Sequence, residues 1–71
     1  MMSDDELRLA IFAGEFEPKR LRLTNGETYE IRHPGSVAIG RRVTTVVVNG
    51  KCHQISNLHI AQVEPLELAA S

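Results

Sequence analysis

The chain of 71 residues reads as a mostly β fold. It comprises a short N-terminal α-helix over about residues 4–13, a small five-stranded barrel over about residues 18–65, and a brief C-terminal tail, all in one domain. Three observations predict this. The middle of the chain alternates apolar and polar residues between turn dipeptides, the period-2 pattern of half-buried strands. Helical spacing occurs near the N-terminus, directly behind a capping motif. A chain this short supports a single core and buries only about 60% of the surface its unfolded form exposes.

Ser3-Asp4-Asp5-Glu6 is a capping box: Ser3 can accept from the Glu6 N–H, and Glu6 can reach back to the Ser3 N–H. Asp4 and Asp5 suit the positive end of a helix dipole. Leu7, Ala10, Ile11 and Gly14 follow at i, i+3, i+4 and i+7, and Gly14 is placed to end the helix. A helix of that length is unstable alone, so its apolar face must dock on the remainder.

Arg20-Leu21-Arg22-Leu23 and Thr28-Tyr29-Glu30-Ile31-Arg32 alternate strictly. A two-residue Asn25-Gly26 turn would set Leu21 opposite Glu30 and mix apolar with polar residues on one face. A three-residue loop, Thr24-Asn25-Gly26, sets Leu21 opposite Tyr29 and Arg20 opposite Glu30. It needs positive φ at its third residue, which is Gly26, so a type I turn with a G1 bulge is expected.

His33-Pro34-Gly35-Ser36 interrupts the second strand and bends it, because Pro34 cannot donate to a ladder. Val37-Ala38-Ile39 resumes β structure and Gly40 turns the chain. Residues 42–48, rich in β-branched side chains, predict a well-buried strand. Asn49-Gly50 then makes a hairpin to residues 51–56. Either Val46 and Val48, or Val43 and Val47, share the core face with Ile55; the pattern permits both. Ser56-Asn57-Leu58-His59 predicts a 3-10 turn, residues 60–64 a last short strand closed by Pro65, and Leu66 and Leu68 local packing.

This order of elements resembles that of SH3-like and Sm-like small barrels. L-R-L-T-N-G at residues 21–26 and L-H-I-A-Q-V-E-P at residues 58–65 resemble the first hairpin and last strand of Sm-like bacterial RNA-binding host-factor proteins, which also begin with a helix. That family carries Y-K-H before its last strand; here the matching histidine, His59, follows Ser56-Asn57-Leu58. Nearly the whole chain is also similar to a family of short uncharacterised bacterial proteins of planctomycete type. The residues that carry this likeness are Phe16-Glu17-Pro18, Leu21-x-Leu23, Asn25-Gly26, Tyr29-Glu30-Ile31-Arg32-His33-Pro34, and the stretches 58–60 and 63–65. The second resemblance implies no activity; the first implies binding of single-stranded RNA.

The net charge is −1, divided unevenly. Asp4, Asp5, Glu6, Glu15 and Glu17 precede Pro18, and Glu64 and Glu67 lie near the end. Between Pro18 and Val63 seven Lys or Arg face only Glu27 and Glu30. A basic middle between acidic ends suits either an anionic partner or ends that fold onto a middle, its own or a neighbour's. Arg20, Arg22 and Arg32 on the outside of the first hairpin, His33 at the bend, and Arg41 and Arg42 at a turn are the candidate contacts to nucleic acid or a partner. The arginines could equally pair with Glu30, Glu27 or the helix carboxylates. His33 could equally only cap the bend.

Several classes of function are disfavoured. Ser3, Ser36, Ser56 and Cys52 stand in no nucleophile arrangement, and no phosphate-binding glycine loop is present. Cys52, His53 and His59 lack zinc-ligand spacing, and neighbours on a strand face opposite ways. The barrel offers little enclosed volume. No cofactor, metal or catalysis is therefore expected. No apolar run nears the roughly 18 residues of a membrane span. The acidic N-terminus is unlike a secretory signal, and a lone cysteine fits a reducing compartment, so a cytoplasmic location is expected. A small core with no disulfide or metal favours self-association as its support. The expectation is a non-catalytic, self-associating interaction module, with Sm-like RNA binding as the alternative.

Overall fold

The computed structural model describes residues 1–66. The capping box forms as read: the Glu6 N–H donates to Ser3 Oγ at 3.1 Å and the Ser3 N–H donates to Glu6 Oε1 at 2.8 Å. These two bonds start α1, Asp4–Phe12, one residue shorter than expected. Its Leu7 and Ile11 are fully buried against the strands. Arg8 adds a polar tie, donating to Asp4 at 2.9 Å and to the Ile39 carbonyl at 3.1 Å.

The strands are β1 Lys19–Leu23, β2 Thr28–Ile31, β3 Val37–Ile39, β4 Val43–Val48, β5 Lys51–Ser56 and β6 Ile60–Pro65. They pair antiparallel as two three-stranded sheets, ordered β2-β1-β6 and β3-β4-β5. Where five strands were expected, the described residues form six. The bent second strand divides at His33-Pro34, where a 3-10 turn, Pro34–Ser36, replaces ladder pairing. Nor do the ladders among the described residues form one closed ring.

The first hairpin has the deduced register, Leu21 opposite Tyr29 and Arg20 opposite Glu30. The Gly26 N–H donates to the Leu23 carbonyl at 3.0 Å, the Leu23 N–H donates to the Glu27 carbonyl at 2.8 Å, and Gly26 has φ 93°. That is the three-residue loop with glycine where positive φ is required. Leu21, Leu23 and Ile31 consequently face the core, with Tyr29 partly buried against it.

The second hairpin resolves the open register. Thr44 stands opposite Ile55 and Val46 opposite His53, so Val46 and Val48 lie on the core side. Val43 and Val47 point outward and remain exposed, which corrects the expectation of a well-buried strand. Only one face of β4 has a layer packed on it, so its apolar outer residues meet solvent. Asn49 and Gly50 both have positive φ, as a type I′ turn requires. A second 3-10 turn, Asn57–His59, forms as read and leads into β6. Against β1 the β6 ladder shifts register between Arg22 and Leu23, which leaves Ala61 as the extra residue of a bulge. Leu66 is buried; Leu68 lies outside the described residues. No helix among the described residues is long and apolar enough to cross a membrane.

Candidate interaction surface

The basic middle does not form one patch. β1 and β6 run with Arg20 opposite Glu64 and Arg22 opposite Gln62. This register brings Glu64 under both arginines. Arg22 grips it in two-point fashion, Nε to Oε2 at 3.3 Å and Nη2 to Oε1 at 3.1 Å, while Arg20 Nη1 stands 3.8 Å away. Gln62 Nε2 adds a bond to Oε2 at 2.6 Å. The Arg22 hydrogen bonds, with Gln62 behind them, hold the Glu64 carboxyl below its usual range. Arg32 is taken by Glu30 at 2.7 Å. Three of the six candidate contacts are therefore matched by carboxylates of their own chain. Glu30 was foreseen; Glu64 was not. Its signal was its phase: Gln62 and Glu64 alternate on the last strand as Arg20 and Arg22 do on the first.

His33 is extended, φ −137° and ψ 144°, and makes no side-chain cap. Its carbonyl does the capping, accepting from the Ser36 N–H at 3.0 Å and from Ser36 Oγ at 2.7 Å. The residue lines a cavity of about 290 Å3 with Glu30, Arg32 and the end of β4. Tyr29 lies against His53, ring centroids 5.2 Å apart, rather than free for stacking. Among the described residues no group of three His, Cys, Asp or Glu is placed to hold a metal ion.

Arg41 and Arg42 differ. They sit on the turn between β3 and β4, where the Gly40 N–H donates to the Val43 carbonyl at 2.9 Å. A Cβ on Gly40 would lie 2.7 Å from that oxygen, so the closure requires glycine. Asn57 clamps the turn from across the fold. Its Nδ2 donates to the carbonyls of Gly40 at 3.0 Å and Arg41 at 3.2 Å, and its backbone N–H donates to the Arg42 carbonyl at 2.8 Å. Both arginines are exposed, and neither forms an ion pair among the described residues. Beside them opens a cavity of about 520 Å3 whose apolar lining comes from Met1, Met2, Val43 and Leu58. Sequence reasoning expected no such volume. It arises at the surface, between the start of α1 and two turns, rather than inside the strands. Leu58 and Val43 are 59% and 42% exposed, an apolar surface left uncovered among the described residues.

No family model matches the chain, and no curated protein or solved structure matches it either.

Proposed function

We propose that the chain is a non-catalytic small-barrel interaction module that associates with itself. The carrying observation is the conjunction of Arg41 and Arg42, two exposed cations in no ion pair among the described residues, with the apolar cavity of Met1, Val43 and Leu58. Cations at the rim of an apolar depression form the anatomy of a protein-binding surface: an apolar centre gives affinity and charge selects the partner.

The barrel assignment draws support from strand order. Counting β2 and β3 as one strand bent at Pro34–Ser36 joins the two sheets into the succession β6-β1-β2/β3-β4-β5, the order of an SH3-like or Sm-like barrel. The Sm-like RNA-binding reading has less to stand on. Arg20, Arg22 and Arg32 are held by Glu64 and Glu30, and Tyr29 is engaged by His53. Phosphate contacts and base stacking both need such groups free.

Size-exclusion chromatography of a dilution series, run with and without a labelled single-stranded RNA, tests this reading. Elution that moves later on dilution, with no RNA co-eluting at low salt, is expected. Elution at the monomer position at every concentration, or RNA that co-elutes at low salt and is released by added salt, would overturn it.

A further inference from the structure

Taking the self-association proposed above as its basis, we infer that the occupant of the Arg41–Arg42 cavity is the C-terminal end of α1 from a second copy of this chain. The far end of the helix is the chemical complement of the cavity. Leu9 is 69% exposed and Phe12 37%, and the Phe12 ring tilts against Phe16 with centroids 6.3 Å apart. Glu15 and Glu17 follow immediately, both exposed and neither in an ion pair among the described residues. The last turn of α1 carries no basic residue. Among the described residues the last turn of the helix and the two carboxylates that follow it thus lack an ion-paired cation, where one would be favourable.

The cavity supplies what that end lacks. Its acidic lining residues are already engaged: Asp4 by Arg8, and Glu6 by the Ser3 N–H. Arg41 and Arg42 line it too, in no ion pair among the described residues.

The two patches also sit at opposite ends of one element. The cavity is lined by residues at the start of α1, and the Leu9–Phe12 edge with Glu15 and Glu17 lies at its finish. A nine-residue helix spans about 13 Å. Two copies with their helices antiparallel therefore place each arginine pair beside the other's Glu15 and Glu17. Leu9 and Phe12 then meet Val43 and Leu58. A two-fold axis satisfies both contacts at once, as an isologous pair requires.

Charge reversal tests the arrangement. Sedimentation velocity on the intact chain would compare the wild type, Arg41→Glu/Arg42→Glu, Glu15→Arg/Glu17→Arg, and an equimolar mixture of the two variants. Circular dichroism would confirm that each variant is folded. Each variant alone is expected to self-associate roughly tenfold or more weakly than wild type, from like charges set face to face. Their mixture should recover wild-type association, since each then offers the other the opposite charge at both contacts. Variants that associate as the wild type does would remove this surface and leave self-association standing through another. Weakening without recovery in the mixture would likewise overturn the pairing. A wild type that stays monomeric at every concentration would end both readings.

Discussion

Thr44 Oγ1 donates a 2.7 Å hydrogen bond to Asn57 Oδ1, and both side chains are buried inside the fold. With its Nδ2 on two carbonyls, Asn57 ties β4, the second 3-10 turn and the Gly40–Arg41 turn into one satisfied polar network. Thr44→Val leaves Asn57 Oδ1 without its donor, and Asn57→Ala deprives the threonine hydroxyl of its acceptor and two carbonyls of their donor. A buried group left unsatisfied costs about 1–3 kcal/mol. Urea unfolding should show both variants destabilised, Asn57→Ala the more, with the double variant well short of the sum. Additive losses would mean that the two side chains act independently.

Docking of the helix makes a sharper contrast. Leu7 is fully buried and Leu9, two residues on, is not. Leu7→Ala should cost about 2–5 kcal/mol, a large share of the roughly 4–11 kcal/mol typical of a 71-residue domain. Leu9→Ala should leave the melting temperature of the monomer nearly unchanged and weaken self-association. Equal thermal losses in the two variants would contradict this division of the helix into a core face and a contact face.

The first hairpin depends on one residue with left-handed backbone. Gly26→Ala forces a side chain into φ 93° and should destabilise by about 1–2 kcal/mol. Gly35→Ala is the control. Gly35 has no positive φ, and a Cβ there meets nothing within 4 Å, so an effect within about 0.5 kcal/mol is expected. Thermal melts of the two variants side by side decide it.

The clamp on Glu64 has a pH signature. Arg22 holds the folded carboxyl below its unfolded value. Its contribution is therefore complete above the ordinary carboxylate range and fades as pH falls through the lowered folded value. Asp4, held down by Arg8, and Glu6, held down by the Ser3 N–H, act in the same direction. Glu64→Gln should melt earlier than wild type near pH 7 and converge with it as the pH falls below the lowered folded value of Glu64. A difference that persists unchanged at low pH would mean that the glutamate contributes packing rather than charge.

Local chemistry made much of this fold legible in advance. Ser3 and Glu6 mark the helix start within four residues, and Gly26 decides the first hairpin because one register alone keeps Leu21 and Tyr29 together. Information ran out where partners are distant in sequence. The pattern V-T-T-V-V-V fits β4 facing either way, and the tertiary choice sets Thr44 inward, where it meets Asn57. Glu64 lies 42 residues from Arg22, and the β1–β6 register that joins them contains a bulge that the sequence does not announce. Arg41 and Arg42 were visible as candidates. Their apolar companions were not, since Met1, Val43 and Leu58 meet only once three separate segments have folded together.

Static light scattering of the wild-type chain over a wide concentration range at moderate salt puts the central claim to its most direct trial. A weight-average mass that climbs from 7.9 kDa towards a multiple of it, and falls back when salt is raised, is the expected result. A mass fixed at 7.9 kDa throughout would contradict self-association.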